Sequence, residues 1–135
     1  DSLSMLAPSS ATQWLLDAVF MKYPLVILCN LSRNSYYMMS YESFTTTKCS
    51  ASGNFDELIT SGAETMHPED QEIFRTTFSI ENQMEKYNAG EKCITLITRQ
   101  LGDDGVYRKV ETLNYFVKNP ASNDVIVITL CDNIE

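Results

Sequence analysis

Close pairs of cysteine or histidine residues are absent from this 135-residue chain. Its single histidine is His67, and no two of its four cysteines stand near each other: Cys29, Cys49, Cys93 and Cys131. Structural zinc sites usually show paired ligands at short spacing, so this pattern argues against one. Three of the cysteines fall in apolar runs, where cysteine behaves as a small buried hydrophobe. We therefore expect buried free thiols, with a disulfide as the alternative.

Clusters of basic residues are also missing. Ten Lys and Arg residues are scattered among 18 Asp and Glu residues, which gives a formal net charge of −8. Nucleic acids and anionic membranes need grouped cations, so both are poor partners. The chain has no signal peptide and no apolar run close to the roughly 20 residues of a membrane span. We expect a cytoplasmic protein that contacts neither nucleic acid nor membrane.

Motifs of covalent catalysis and phosphate binding do not occur in the chain. It contains no G-x-S-x-G, no G-x-x-x-x-G-K and no Cys–His pair. The acidic pairs Glu69-Asp70 and Asp103-Asp104 stand where a helix start and a hairpin loop favour carboxylates for local reasons. No catalytic or metal-binding residue is therefore predicted. A small isomerase-like enzyme is the least favoured class, since the inward-facing runs offer almost no titratable groups.

The composition is that of one soluble globular domain, with 44% hydrophobic and 21% charged residues. Residues 1–10 are small and polar and include Pro8, so they are predicted to form an N-terminal tail or linker. Residues 11–135 then form the domain. Because the chain begins with Asp1 and not with Met, we expect it to be a fragment of a larger protein.

In the first half of the chain, apolar spacing predicts a helix over 13–21 that is capped by Thr12 and ends before Pro24. The runs 25–31 and 36–41 predict two strands joined by a polar turn. Only one helical turn, over 55–59, is predicted in the weaker pattern that follows.

In the second half, Pro68 marks the start of a long helix, because proline suits the first helical position. Apolar spacings of three and four continue this helix to its end near Gly90. Three strands follow, over 92–100, 106–118 and 125–131, with short loops between them. This order predicts an antiparallel α+β domain with helices on one face of the sheet.

Four stretches of sequence resemble the PAS family of sensor domains. Residues 67–70 (HPED) resemble the segment that opens the long helix in many bacterial PAS domains, and residues 102–108 (GDDGVYR) resemble the D-G-x-Y-R hairpin. Residues 77–82 (TFSIEN) resemble a subgroup attached to diguanylate cyclase and kinase outputs. The run 125–131, followed by DNIE at 132–135, resembles the final strand and its D-I-T exit.

The resemblance implies the PAS fold, a five-stranded antiparallel sheet with strands 1 and 5 adjacent at its centre and helices on one face. It also implies a bacterial signalling protein that senses a small ligand in the cavity beneath those helices. An output domain of the diguanylate cyclase or histidine kinase type would follow in the same chain. Asp132 stands where the family often has an acid that couples the last strand to an output helix.

Five residues are the candidates for lining that cavity. Phe74 and Phe78 face inward from the predicted long helix, whereas Tyr37, Phe116 and Thr129 come from strands. In a strand only alternate residues reach the covered face, and the sequence does not fix which ones. The alternative is that these side chains simply pack a filled core, in which case the domain is a ligand-free interaction module that relays conformational change.

Neither heme nor photochemical flavin has a signature here. Some PAS domains bind heme through histidine, but His67 directly precedes Pro68 at a helix start, which favours a capping role. No cysteine has the N-C-R-F-L-Q-like neighbours that flavin photochemistry uses in the family. The ligand therefore stays unidentified.

The first helix carries an apolar face formed by Trp14, Leu15, Phe20 and Met21. In PAS proteins the corresponding helix often packs in a homodimer interface. This face therefore either joins two copies of the chain or covers the sheet of its own domain.

Overall fold

The computed structural model describes residues 8–41 and 50–134. The elements of these residues, in chain order, are α1 Pro8–Lys22, β1 Leu25–Asn30, β2 Ser35–Tyr41, β3 Ser52–Asn54, α2 Phe55–Glu64, a 3₁₀ turn Pro68–Asp70, α3 Gln71–Thr77, α4 Ile80–Asn88, β4 Cys93–Leu101, β5 Tyr107–Val117 and β6 Ile126–Asn133.

The strands form one antiparallel sheet in the order β3-β2-β1-β6-β5-β4. The two most apolar strands, β1 and β6, pair along their length at its centre, from Leu25 opposite Cys131 to Asn30 opposite Ile126. The predicted α+β fold and its central pair are confirmed. The predicted strand count of five is one too low, because β3 is a three-residue exposed edge strand of Ser, Gly and Asn with no apolar pattern.

Helices cover one face of the sheet and build two apolar clusters there. Phe55 and Leu58 of α2 pack with Ile27 and Val127 of the central strands. Further along, the segment from Ala63 to Phe78 packs against the partly buried side chains of β4. On β5 the covered face is marked by alternation, since every second residue from position 110 to 114 is buried.

The predicted long helix is wrong as a single element. It is divided into the 3₁₀ turn, α3 and α4, with a break at Ser79, whose backbone is extended (φ −61°, ψ 147°). The Ser79 hydroxyl accepts a hydrogen bond from the backbone N–H of Asn82 at 3.1 Å, so it caps α4. Serine competes well for helix ends in this way, which explains why apolar spacing alone overlooked the break.

His67 caps the 3₁₀ turn, as predicted. Its Nδ1 accepts a hydrogen bond from the backbone N–H of Glu69 at 3.1 Å. Next to it, Asp70 joins this turn to β4, since its Oδ2 accepts from the backbone N–H of Arg99 at 2.8 Å and from Nε of the same residue at 3.0 Å. These hydrogen bonds hold the pKa of Asp70 below its usual range. The role of Asp70 is therefore structural, but its partner is Arg99 of β4, and its side chain makes no cap hydrogen bond at the start of α3.

The hairpin between β4 and β5 also forms where it was predicted. Gly105 adopts a positive φ of 79°, a conformation that glycine tolerates without strain. Asp104 and Arg108 pair across the loop.

The first helix begins earlier than predicted, at Pro8, so residues 8–10 are helical. Proline at the first position needs no N–H partner, and it supplies a helix start four residues before Thr12. Much of the apolar surface of α1 stays exposed: Trp14 by 57%, Leu15 by 66% and Met21 by 89%.

The cap at Ser79 gives a direct test of the helix break. We expect Ser79→Ala to lower the free energy of unfolding by about 1 kcal/mol, because α4 loses its N-terminal hydrogen-bond acceptor. Urea denaturation followed by circular dichroism measures this change. Ser61→Ala in α2 is the matched control and is expected to stay within about 0.5 kcal/mol of the wild type. Equal effects of the two substitutions would contradict the capping role.

Candidate ligand-binding site

A cavity of about 80 Å³ lies between the helices and the covered face of the sheet. Its wall is mainly apolar, with side chains from the central strands, from β2 and from α2. They include Leu25, Ile27, Met38, Phe55, Leu58 and Ile59. A mostly apolar concavity with a few placed polar groups is the usual form of a small-molecule site.

Five polar side chains also line this cavity, and none of its described lining residues carries a charge. They are Thr65, Gln100, Thr112, Asn114 and Thr129. All five are buried, at 8% exposure or less. Buried polar groups are costly unless they are hydrogen-bonded, so the partners of each one matter.

Three buried side chains form a continuous hydrogen-bonded chain from sheet to helix, which we call the buried relay (Thr129, Asn114 and Gln83). The Thr129 hydroxyl donates to Oδ1 of Asn114 at 2.8 Å. Nδ2 of Asn114 donates to Oε1 of Gln83 at 2.8 Å. Nε2 of Gln83 then donates to the backbone carbonyl of Phe78 at 2.9 Å, directly before the break at Ser79. The relay thus connects β6 through β5 to the junction of α3 and α4.

Two buried thiols extend this polar region. Sγ of Cys29 lies 3.7 Å from the Thr129 hydroxyl, and Sγ of Cys131 donates to the Thr112 hydroxyl at 3.7 Å. Burial raises the pKa of Cys29 to about 12 and that of Cys131 to about 11. Both thiols therefore stay protonated near neutral pH, and neither is a nucleophile.

The expectation of buried free thiols is confirmed for Cys29 and Cys131. Cys93 is also free, but it is only partly buried. Cys49 lies outside the described residues.

The side-chain amide of Gln100 has a partner at its nitrogen and none at its oxygen. Its Nε2 donates to the Thr65 hydroxyl at 2.9 Å, and that hydroxyl donates to the carbonyl of Gly62 at 2.6 Å. Oε1 of Gln100 is the one buried side-chain oxygen or nitrogen in the described part of the chain that has no hydrogen-bond partner.

Three of the five predicted cavity residues line the cavity. Phe74 and Phe78 project from the helical side with their rings packed edge to face, 5.2 Å between centroids, and Thr129 lies on the sheet side. Their part in binding a ligand stays a prediction.

The other two predicted residues do not line the cavity. Tyr37 is 57% exposed on the opposite face of β2, while its neighbours Tyr36 and Met38 face inward. Phe116 shares the covered face with Asn114, but it lies beyond the end of the cavity and packs against the ring of Tyr87 at 5.5 Å. Tyr37 does not line the cavity because it lies on the uncovered face of its strand. Phe116 lies on the covered face but too far along its strand to reach the cavity.

Asp132 lies away from the cavity, because alternation along β6 turns it to the opposite face from Thr129 and Cys131. Its Oδ2 pairs with Nζ of Lys22, at the end of α1, at a distance of 2.7 Å. Glu111 of β5 is directly opposite Asp132 in the sheet, so the lysine offsets two facing carboxylates. Asp132, the residue predicted to couple the last strand to an output helix, therefore joins the end of β6 to α1.

Gln83, Asn114 and Gln100 were overlooked in the sequence. A signal for Asn114 did exist, since Val110, Thr112, Asn114 and Phe116 alternate along one strand and include two polar members on the inward face. Gln83 offered none, because glutamine within a helix of polar composition is normally solvated.

Metal binding and membrane crossing find no support in the described ranges. Within residues 8–41 and 50–134, no group of three or more His, Cys, Asp or Glu side chains is placed to hold a metal ion. The helices of the same ranges lack the combination of length and apolar character that a membrane span requires.

Two solved structures similar to this chain are sensor domains. One is the N-terminal domain of a diguanylate cyclase with a PAS/PAC sensor from Marinobacter aquaeolei, at 17% identity and a TM-score of 0.50, covering 82% of this chain and 94% of that one. The other, from Haloarcula marismortui, is a domain of a histidine kinase described as light and redox sensing. It has 15% identity and a TM-score of 0.55, covering 91% of this chain and 99% of that one.

No protein-family model matches the sequence, and no curated protein does. At this level of identity the structural likeness shows the fold alone. The fold of the chain is that of PAS sensor domains, as the sequence resemblance implied.

The buried relay is expected to act as a coupled unit. Asn114→Leu leaves Oε1 of Gln83 buried without a donor, so we expect a loss of about 1–3 kcal/mol in the free energy of unfolding. Gln83→Leu is expected to cost a similar amount. The double variant should lose clearly less than the sum of the two, because both polar partners leave the core together. Chemical denaturation of all four proteins measures the coupling, and strictly additive losses would show that the two side chains act independently.

Proposed function

We propose that this domain is a signal-transduction sensor that takes a small molecule into its cavity and regulates an output domain in the same chain. The observation that carries the proposal is a cavity with a mainly apolar wall and a polar edge. The buried relay connects that edge to the helices through hydrogen bonds. The PAS fold supports it, because both similar structures come from sensor proteins.

The dimensions of the cavity limit the ligand. About 80 Å³ is well below the roughly 300 Å³ at which sites for drug-sized ligands begin. Heme and flavin are therefore too large for the cavity in this form. The uncharged lining favours an uncharged ligand, since an isolated ion would pay a large desolvation cost there.

Two sets of contacts that begin at Thr129 would transmit the signal. One is the buried relay, which ends at the carbonyl of Phe78 where α3 gives way to α4. The other is β6 itself, which runs from Thr129 to Asp132 and its ion pair with Lys22. A ligand acts through such contacts only if it binds two packings with different affinity.

The regulated partner is an output domain of the diguanylate cyclase or histidine kinase type, and the domain itself is not an enzyme. The two similar structures come from proteins with these outputs. The described residues that line the cavity also include no Asp, Glu, His or Lys, and their one thiol, that of Cys131, is protonated near neutral pH. Asp132 at the end of β6 is the residue that we assign to relaying the signal.

Xenon tests the cavity without assuming a ligand, because it enters dry apolar cavities. In ¹H–¹⁵N NMR spectra under xenon pressure, we expect saturable shifts at the amides of Phe74 and Thr129. If these contacts transmit the effect of xenon binding, smaller shifts are expected at the amides of Ser79 and Asp132.

Two variants of β5 make this test specific. Val110→Phe fills the cavity and should abolish the xenon shifts. Val117→Phe places the same ring on the same strand at a residue that is 40% exposed, and the shifts should persist. Absence of saturable shifts in the wild type would end the ligand-sensor proposal.

A second candidate function is a ligand-free module that dimerises and relays conformational change. The observation that favours it is exposed apolar surface on α1 and on the uncovered sheet face. Trp14, Leu15 and Met21 contribute on α1, and Tyr37 and Ile97 on the sheet.

Dimerisation through α1 predicts a charge-sensitive assembly. We expect size-exclusion chromatography with light scattering to give twice the chain mass for the wild type and a single-chain mass for Leu15→Glu, because a carboxylate would be buried at the interface. Thr12→Glu adds the same charge at an exposed polar position of the same helix and should leave the dimer intact. A wild-type monomer at high concentration would exclude this module.

A further inference from the structure

Gln100 carries the one buried side-chain oxygen or nitrogen, among the residues that the structure describes, without a hydrogen-bond partner. Its side chain lines the cavity and is 8% exposed, and Oε1 has no partner among the described residues. A buried amide oxygen left without a donor loses its hydration and gains nothing in return. Such an atom therefore indicates that something else in the cavity supplies the donor.

The orientation of this amide follows from its neighbours. The Thr65 hydroxyl donates its hydrogen to the carbonyl of Gly62 at 2.6 Å, so its oxygen can only accept from Gln100. The group at 2.9 Å from it must then be the NH₂ of Gln100, and the carbonyl oxygen takes the other direction. A flipped amide would place two acceptors against each other.

We propose that the ligand of this cavity is a small uncharged molecule that donates a hydrogen bond to Oε1 of Gln100, such as a short alcohol or a primary amide. This inference rests on the proposed ligand-sensing function and adds the chemical class of the ligand. The donor requirement comes from Gln100. The absence of charge comes from the lining, in which no described side chain is ionised.

Size narrows the class further. A dry cavity of about 150 Å³ accommodates benzene. A cavity of about 80 Å³ is about half as large, so it suits a ligand of about three or four non-hydrogen atoms. The rest of the ligand contacts apolar side chains such as Phe74 and Phe78.

Propan-2-ol and acetone form a matched pair of probes for this class. They have the same number of non-hydrogen atoms and nearly the same shape, but only the alcohol has a hydrogen to donate. We expect ¹H–¹⁵N NMR titrations to give a Kd for propan-2-ol at least about fivefold below that for acetone, with shifts at Thr65, Gln100 and Thr112.

Substitution of Gln100 separates the hydrogen bond from the cavity. Gln100→Met keeps the length of the side chain and removes the acceptor, so the two Kd values should come within about twofold of each other while acetone still binds. Gln13→Met, at an exposed position of α1, should leave the preference unchanged.

Each other outcome overturns the proposal in a distinguishable way. Equal Kd values in the wild type, or a preference that survives in Gln100→Met, would show that water satisfies Oε1 and that the ligand need not be a donor, with ligand sensing itself intact. Saturable binding by neither probe would remove both this inference and the proposed function.

Discussion

Three buried side chains, Thr129, Asn114 and Gln83, hydrogen-bond to one another where the helices meet the sheet. In an apolar interior each of their polar atoms needs a hydrogen-bond partner within the protein, because an unpaired polar atom lowers the free energy of unfolding. The relay meets this demand by spanning three elements, α4, β5 and β6. Its last acceptor, the carbonyl of Phe78, is free for this bond because the chain leaves helical geometry at Ser79.

That constraint explains why the helical layer is held by polar contacts and not by apolar packing alone. At one side the relay fixes the start of α4, and at the other Asp70 binds the backbone and guanidinium of Arg99 on β4. The apolar side chains between these two attachments pack in separate clusters against the sheet. The cavity lies between the helices and the sheet and is lined by residues of both clusters, including Phe55 and Phe74.

The sequence predicted those features that depend on contacts near in the chain. The apolar runs predicted β1 and β6 as strands, and helical spacing placed Phe74 and Phe78 inward. The pairing of β1 and β6 at the centre of the sheet was implied by the PAS resemblance and not by these local patterns. Two adjacent tyrosines in β2 fit either parity, so only the structure shows that Tyr37 faces outward. Asn114 left a signal in the alternation of its strand, but Gln83 left none, because a glutamine on a polar helix looks solvated until its partner, 31 residues away, is known. The hydrogen bond between them joins two elements that are distant in the chain, and no local pattern in the sequence predicts that pairing.

A fully satisfied polar network would give a ligand little to recognise beyond shape, because displacing an internal hydrogen bond offsets whatever the ligand gains. Here every side-chain oxygen and nitrogen of the relay has a partner, whereas Oε1 of Gln100 has none among the described residues. In the proposed sensor the relay can therefore remain a rigid connection between sheet and helices, and recognition would fall to Gln100. Hydrogen-bonding sites discriminate strongly against molecules that leave a buried group unpaired, far more than apolar walls discriminate by size. In the proposed sensor, a cavity this small would gain most of its selectivity from one such atom, Oε1 of Gln100.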